Sequence, residues 1–260
     1  MSKKLFALLV GINNYPQLNK LRGCIRDVQT IRSLLELQYA QLSPQICTLL
    51  EEQATRYNFI QTFRSHFGQA QDGDIVFFHF SGHGSREAAP SAFHSILPDG
   101  KNETLVLYDS RDPNGMDLAD KELAVLLWEI SRQRPQLHIV VSLDCCHSGS
   151  GTRNADHMRF EQARYAEREG NPRRLEDYLS LERETESYYR KIYRENNANI
   201  IVPPSQHLLL SACSPTQQAW ESRDGHGLFS TALTEVLSES IHNPSYFDLF
   251  QQVRLRLRQW

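Results

Sequence analysis

Two short stretches of this sequence contain residue types that carry out chemistry, and each follows an apolar run. The first is Ser81-Gly82-His83-Gly84, and the second is Asp144-Cys145-Cys146-His147-Ser148-Gly149. A cysteine attacks a carbonyl carbon as its thiolate, and a nearby histidine can accept the thiol proton or stabilise the thiolate. The sequence therefore predicts a nucleophilic site in which Cys145 or Cys146 works with His83, and in which the amides of Gly84 and the nucleophile donate to a developing oxyanion.

The elements that must position these stretches follow from apolar patterning. Near-continuous apolar runs at residues 5–10, 75–80 and 138–143 predict central parallel strands buried on both faces. The carboxyl ends of such strands share one crevice, where ligands bind in open α/β sheets. Further strands are predicted at residues 45–51 and 206–212, and helical periodicity covers residues 21–37, 55–67, 120–130, 228–241 and 247–257. We predict an α/β fold with a mostly parallel central sheet flanked by helices on both faces, a three-layer αβα arrangement.

Two regions break this alternation. Residues 85–117 are predicted to form a loop or hairpin beside the site, with a short strand at 104–108. Residues 156–199 are rich in charged side chains, and we predict a solvated helical insertion there, with disorder as the alternative.

Composition limits the partners and the compartment. The 260 residues carry a net charge of −3, so no overall basic field favours nucleic acid or an anionic membrane. The five cysteines are scattered and odd in number, which favours a reducing, cytoplasmic compartment over a disulfide framework. No apolar run approaches the roughly 18 residues that a membrane span needs. We expect a monomer, and we expect the chain to be cut from a longer protein, because Trp260 follows a helix without a cap.

Other interpretations of the cysteines remain open. Cys24, Cys47 and Cys213 are expected to be small buried hydrophobic residues. The adjacent Cys145 and Cys146 could form a redox pair, although they lack the Cys-x-x-Cys arrangement. Zinc is disfavoured because the contiguous cluster lacks ligand-loop spacing and a second paired cluster.

At these residues the sequence resembles the metacaspases, specifically the caspase-like bacterial proteases called orthocaspases. The resemblance covers most of the chain and rests on five segments: Leu21 to Asp27, Phe80 to Gly84, Asp144 to Gly149, Ser211 to Cys213, and Gly225 to Phe229. It implies a cysteine endopeptidase in which Cys146, directly before His-Ser-Gly, is the nucleophile and His83 is its base. It gives Cys145 no clear role.

The resemblance also implies an acidic pocket for the residue before the scissile bond, built from Asp27, Ser81 and Asp144. Two carboxylates in one partly desolvated pocket repel each other unless a cation neutralises them, and a guanidinium can do so with two parallel hydrogen bonds. Arginine, then lysine, is the expected residue before the cut, and aspartate would be repelled. For Asp27 the alternative is a solvent-facing helix charge.

The family further implies a division into a large catalytic part (residues 1–153), a charged insertion or linker (154–205) and a small part (206–260) within one caspase-like domain. It also implies self-processing in the insertion. The candidate sites are Arg153, Arg159, Arg164, Arg168, Arg173, Arg174 and Arg183. Trp220 and Glu221 are expected to line the substrate groove further from the cut, with a core tryptophan as the alternative.

Calcium activates many metacaspases, but the matching region here departs from their pattern. It reads Leu118-Ala119-Asp120-Lys121-Glu122-Leu123, with one aspartate and a lysine where the family has paired aspartates. The oxygen ligands Asp109, Asp112, Asp117 and Asp120 do not form a recognisable calcium loop. We expect no cofactor and no metal. The predicted partners are peptides or proteins with Arg or Lys before the cut, and the alternative functions are a non-catalytic scaffold or a thiol redox sensor.

Overall fold

A five-stranded, all-parallel sheet forms the centre of the molecule in the computed structural model, which describes residues 3–147, 160–213, 219–240 and 244–260. Its strands in chain order are β1 (Leu5–Gly11), β2 (Gln45–Leu50), β3 (Ile75–Ser81), β7 (His138–Asp144) and β9 (His207–Ser211). Across the sheet the order is β2-β1-β3-β7-β9. All five strands were predicted, with bounds differing by at most a few residues.

Helices cover both faces of this sheet, as the alternating pattern predicts. They are α1 (Cys24–Gln38), α2 (Arg56–Phe67), α3 (Asp120–Ser131), α4 (Tyr188–Glu195), α5 (Leu228–Glu239) and α6 (Tyr246–Gln259). The apolar sides of α2 and α3 join one face of the sheet in the largest core cluster, which includes Phe63, Phe78 and Leu126. Helix α1 packs on the opposite face, where Ile31 clusters with Leu9, and α5 contacts α1 and α6. The fold is the expected three-layer αβα arrangement.

The strand register brings the chemistry-bearing residues to one edge. Strands β3 and β7 pair in parallel from Ile75 opposite His138 to Ser81 opposite Asp144. Strand β1 ends beside β3, with Gly11 opposite Ser81. Because parallel strands finish at the same edge, the polar residues that follow β3 and β7 meet in one crevice.

Two small sheets lie outside the central one. Strands β4 (Gly84–Ala88), β5 (Lys101–Leu105) and β6 (Leu118–Ala119) form an antiparallel sheet in chain order, so the region between residues 85 and 117 is a hairpin beside the site. The strand predicted at residues 104–108 lies three residues earlier, because the chain beyond it turns to other partners: Tyr108 N donates a hydrogen bond to Ala54 O at 3.0 Å. The second small sheet pairs β8 (Phe160–Ala163) with β10 (Trp220–Ser222).

The expectation of a solvated helical insertion at residues 156–199 is wrong for much of what the structure describes there. Between residues 160 and 205, α4 is the one α-helix among the described residues. Arg164 is fully buried, and Tyr178 and Tyr189 belong to the main core. Charge counting failed here because three of the arginines, Arg164, Arg168 and Arg173, pair with buried carboxylates elsewhere in the fold. Among the described residues, no helix is both long and apolar enough to cross a membrane.

Candidate active site

The side chain of Arg164 fills an acidic pocket at the carboxyl edge of the central sheet. Four residues contact its guanidinium: Ser81 Oγ at 2.8 Å, Asp27 Oδ2 at 2.7 Å, Glu221 Oε1 at 3.0 Å and Asp144 Oδ2 at 3.1 Å. Both terminal nitrogens are used, since Nη1 faces Ser81 and Asp144 while Nη2 faces Asp27 and Glu221. The three residues predicted to form the pocket are therefore brought together around an arginine.

Burial and charge make this pocket selective for a cation. Burial alone would lower the pKa of Arg164, but the surrounding carboxylates of Asp144, Asp27 and Glu221 raise it well above its usual value. Burial raises the pKa of Asp144, the Arg164 guanidinium opposes that rise, and the nearby Asp27 carboxylate adds to it. Without a cation, the carboxylates would repel one another in a desolvated site.

The fold holds these carboxylates rigidly from elements distant in sequence. Asp27 lies in the first turn of α1, and its Oδ1 accepts a hydrogen bond from Gly227 N at 3.0 Å. Asp144 Oδ2 accepts from both the amide (2.9 Å) and the hydroxyl (2.6 Å) of Ser230. Gly227 must be small, because a Cβ there would come within 2.3 Å of Asp144 Oδ2 and 2.7 Å of Asp27 Oδ2.

Glu221 belongs to this pocket, although its sequence position favoured a place further along the groove. Its Oε1 accepts a hydrogen bond from Gly23 N at 2.9 Å, and its Oε2 accepts one from Arg22 N at 2.9 Å. These amides immediately precede α1, so Glu221 ties β10 to the start of that helix and supplies a third carboxylate. Trp220, in contrast, is only partly buried.

The backbone of Arg164 is engaged as closely as its side chain. Its carbonyl oxygen accepts hydrogen bonds from Gly84 N and Cys146 N, each at 3.0 Å. Two convergent amides on one carbonyl oxygen are the arrangement that stabilises the oxyanion of acyl transfer. These are the two donors predicted from the sequence.

The residues on either side of Arg164 form backbone hydrogen bonds with neighbouring strands, as a bound peptide would. Before Arg164, β8 pairs with β10, and Arg164 N donates to Ala219 O at 2.9 Å. After it, Ala166 N donates to Gly84 O at 2.9 Å, so Gly84 contacts both sides of the Arg164–Tyr165 bond. A Cβ on Gly84 would lie 2.1 Å from Cys146 O, which explains why this position is glycine.

His83 is oriented so that one ring nitrogen remains available as a base. Its Nε2 lies 2.8 Å from Asn19 O, and because a carbonyl can only accept, Nε2 must carry the proton. Nδ1 is therefore the unprotonated nitrogen, and it is buried with no hydrogen-bond partner among the described residues. Burial lowers the pKa of His83 below its usual value, although the Asn19 carbonyl opposes the shift. The imidazole is neutral near pH 7.

The Tyr15 side chain holds the backbone of His83 in place. Its hydroxyl accepts a hydrogen bond from His83 N and donates one to Val106 O, both at 3.0 Å. The two rings pack with centroids 4.9 Å apart. Sequence reasoning singled out neither Tyr15 nor Asn19, and no motif signal marks them, because they come from the loop after β1.

The two adjacent cysteines differ in their surroundings. Cys145 packs in the main hydrophobic core, where burial raises its pKa well above the usual value. Cys146 lies outside that cluster and supplies the amide that contacts the Arg164 carbonyl. Cys213, expected to be a buried hydrophobic residue, is only half-buried, and its thiol donates a hydrogen bond to Cys145 O at 3.3 Å. Cys24 is fully buried as expected, and Cys47 is partly exposed.

The other candidate cleavage sites have different environments. Arg168 pairs with Asp117 (3.2 Å), and Arg173 pairs with Glu87 (2.6 Å) and Glu122 (3.2 Å). The Arg174 side chain and the whole of Arg183 are exposed, whereas Arg153 and Arg159 lie outside the described residues.

The acidic residues considered as calcium ligands already have partners. Asp117 is fully buried and contacts Thr104, Arg111 and Arg168. Asp120 pairs with Lys121, while Asp109 accepts from the Arg56 amide and Asp112 from Gln17. No group of three metal-binding side chains occurs among the described residues. Because cations of the chain occupy Asp117 and Asp120, the donor set does not fit a calcium ion.

A parallel sheet between two helical layers, with a histidine and a cysteine at its carboxyl edge, defines an α/β protein with a thiol site. The family model described as "Caspase domain" matches residues 4–259, so the chain belongs to the caspase domain family.

Comparisons with individual proteins agree with that family. The chain is 32% identical to Metacaspase-1 of Mycosarcoma maydis over 157 residues, which is 58% of this chain and 37% of the relative. It is 31% identical to Metacaspase-1B of Aspergillus fumigatus over 150 residues, covering 55% of this chain and 35% of the relative. The match thus spans little more than a third of these curated relatives. A crystal structure of a Geobacter sulfurreducens protein shares the fold, with a TM-score of 0.65, 22% identity, and coverage of 97% and 89% of the two chains.

Proposed function

We propose that this protein is a cysteine endopeptidase that cleaves after arginine or lysine, with Cys146 as nucleophile and His83 as base. The observation that carries the proposal is the way Arg164 is held. An acidic pocket binds its guanidinium while two amides point at its carbonyl oxygen. A site that grips both the side chain and the carbonyl of one residue is built for cleavage after that residue.

The proposed reaction is acyl transfer through a thioester, with the following steps. His83 Nδ1 accepts the Cys146 proton, and the thiolate sulfur attacks the scissile carbonyl carbon. The Gly84 and Cys146 amides stabilise the oxyanion as the carbonyl double bond opens. Collapse breaks the C–N bond, and the leaving amine takes the proton from His83. Water then attacks the resulting thioester with His83 as base, which releases the carboxylate product and the thiol.

The pocket geometry ranks the substrates. An arginine engages it through two terminal nitrogens, whereas a lysine has a single ammonium group and cannot match this fork. An aspartate would add a fourth negative charge to Asp27, Asp144 and Glu221 in a desolvated site. We therefore expect a preference for arginine over lysine and no cleavage after aspartate.

The same reasoning makes the Arg164–Tyr165 bond the first substrate of the enzyme. Arg168 and Arg173 form their ion pairs elsewhere, whereas the Arg164 guanidinium forms its ion pairs within the acidic pocket. While it is bound, Arg164 excludes other substrates. Cleavage after Arg164, followed by departure of the segment, would open the pocket.

A processing experiment tests the proposal. Wild-type protein, Cys146→Ala, Arg164→Ala and Arg183→Ala are incubated, and new N-termini are identified by mass spectrometry. We expect wild type and the exposed-residue control Arg183→Ala to expose Tyr165 as a new N-terminus, and the other two variants to leave that bond intact. Cleavage at this bond in Cys146→Ala would contradict the nucleophile assignment, and processing only elsewhere would contradict the choice of Arg164.

Specificity is then measured on processed protein with fluorogenic peptides ending in Arg, Lys or Asp. Cleavage of the Arg peptide, weaker cleavage of the Lys peptide and no cleavage of the Asp peptide are expected. A preference for Asp would overturn the acidic-pocket argument.

The full burial of Arg164 and Cys146 also favours a second candidate, a scaffold whose pocket never opens. An arginyl chloromethyl ketone distinguishes the two functions, because it alkylates the nucleophile only when the pocket is accessible. An intact Arg164–Tyr165 bond together with no labelling of Cys146 would favour the scaffold.

A further inference from the structure

The nucleophile has a second thiol beside it that the proposed reaction does not use. Cys213 follows β9, the strand next to β7, and the last residue pair between these strands is Leu143 with Ser211. Ala212 N donates to Leu143 O at 2.9 Å, so the two chains stay adjacent beyond the strand ends. Cys213 Sγ then donates to Cys145 O at 3.3 Å.

This arrangement places the Cys213 thiol beside the peptide group that joins Cys145 to Cys146. The Cys146 side chain is close enough to raise the pKa of the Cys213 thiol. Neighbouring strands lie about 4.8 Å apart and successive residues about 3.3 Å apart, so two Cα atoms offset by one residue across adjacent strands lie roughly 6 Å apart, a separation that a disulfide can bridge. Cys213 is also half-buried, so small molecules can reach the pair from its side.

Cys145 is a poorer partner for Cys146, even though it is adjacent in sequence. Successive side chains of an extended chain point in opposite directions. Cys145 accordingly packs in the main hydrophobic core, and Cys146 does not belong to that cluster. The side chains of Cys145 and Cys146 therefore point away from each other, which disfavours the redox pair of adjacent cysteines considered from the sequence.

We propose that Cys146 and Cys213 form a reversible disulfide that protects and silences the nucleophile under oxidising conditions. The effect on catalysis rests on the proposed protease function, whereas the disulfide itself does not. The contact with Cys146, reinforced by burial, raises the pKa of the Cys213 thiol above its usual value, so Cys213 keeps its proton when Cys146 ionises. Cys146 is thus the thiol that reacts first.

The oxidant in this proposal is a hydroperoxide. The Cys146 thiolate attacks one peroxide oxygen, the O–O bond breaks, and Cys146 becomes a sulfenic acid while hydroxide leaves. Cys213 sulfur then attacks the Cys146 sulfur, the S–O bond breaks, and the departing hydroxide takes the Cys213 proton as water. Overall, two thiols are oxidised to one disulfide and one peroxide is reduced to two waters. A dithiol restores both cysteines by exchange.

The test uses the full chain under native conditions. Protein treated with hydrogen peroxide is blocked with an alkylating agent, digested without reductant and analysed by mass spectrometry. We expect a cross-linked peptide pair containing Cys146 and Cys213, which disappears after dithiothreitol. A cross-link between Cys145 and Cys146, or Cys146 oxidised to sulfinic acid with no cross-link, would overturn the proposal.

Two variants sharpen the experiment. Cys213→Ser should lose the cross-link and accumulate irreversibly oxidised Cys146, whereas Cys47→Ser, which alters a distant and partly exposed thiol, should behave as wild type. If the cross-link forms in a protein without peptidase activity, the proposed function fails while the disulfide stands. If an active peptidase forms no cross-link, the disulfide proposal fails while the proposed function stands.

Discussion

Single side chains decide what enters the acidic pocket. Asp27, Asp144 and Glu221 come from three distant parts of the chain, yet they converge on one guanidinium. Their removal from water makes each charge count for more than it would at the surface, and each is held by amide or hydroxyl donors. The proposed specificity for arginine therefore rests on a few fixed charges rather than on the size of the pocket.

Glu221→Gln should weaken cleavage after arginine without removing the nucleophile. A hydrogen bond to a charged group is worth roughly 1.5–3 kcal/mol. Since 1.4 kcal/mol corresponds to tenfold, kcat/KM for an Arg peptide should fall by about ten- to hundredfold. Steady-state kinetics on processed enzyme measures this, with the exposed helix residue change Glu36→Gln as control. An unchanged kcat/KM would show that Glu221 does not contribute to substrate binding.

In the proposed reaction, His83 sets the acid limb of the pH profile of activity. Burial lowers the pKa of His83 in the folded protein from its usual 6.5. The imidazole therefore stays unprotonated, and able to act as a base, at pH values somewhat below 6.5. As pH falls through the lowered pKa, protonation of Nδ1 removes the base. A profile of kcat/KM against pH for an Arg peptide should therefore have its acid midpoint below 6.5. A midpoint above this value would contradict a buried, neutral His83.

At the scale of elements, the segment around Arg164 is bound between two small sheets. Strand β8 pairs with β10 before the arginine, and residue 166 bonds to the first residue of β4 after it. The downstream part is then fixed by buried pairs, such as Arg173 with Glu87 and Glu122. Segments beyond the central sheet therefore hold the Arg164–Tyr165 bond at the site.

Calcium should not be needed for this arrangement. Arg168 and Arg111 already neutralise Asp117, and Lys121 pairs with Asp120, so the chain's own cations occupy these acidic residues. We expect processing and peptide cleavage to be the same in a chelator such as EGTA as with added calcium. The thermal midpoint of Cys146→Ala should likewise not change. Activation by calcium would show that ligands outside the described residues bind it.

The elements differ in how far sequence patterns could predict them. Apolar runs predicted β1, β3 and β7, and parallel geometry then required the residues after β3 and β7 to share an edge. The role of Arg164 could not be predicted, because it is one of seven arginines in a charged region and its neighbours give no local signal. Its position depends on pairing of β8 with β10, about 60 residues apart, which periodicity does not encode.

For the whole molecule, the buried histidine of the central sheet links stability to pH. The Nδ1 atom of His79 on β3 lies 3.0 Å from the Oγ atom of Ser142 on β7, and His79 is fully buried. Burial lowers its pKa to about 3 from the usual 6.5. Between these values the unfolded chain binds a proton that the folded chain does not. Stability is therefore full above pH 6.5 and decreases as the pH falls towards 3.

His79→Gln should reduce this acid sensitivity. Removing one such group lowers the slope of unfolding free energy against pH by up to about 1.4 kcal/mol per pH unit between those limits. Urea denaturation in the Cys146→Ala background, which avoids self-cleavage, measures the slope. The exposed control His207→Gln should keep the slope of its parent. Equal slopes in all three proteins would indicate that His79 is protonated in the folded state.

Because Arg164 is tethered to the pocket it fills, it competes with any external ligand at a high effective concentration. For a short connection that concentration is on the order of millimolar, well above the level of most cellular proteins. An inactive Cys146→Ala protein used as bait would therefore retain its own arginine and capture few binding partners. A double variant that also carries Arg164→Ala leaves the acidic pocket empty, and this form is the one suited to isolating the protein's targets from a cell extract.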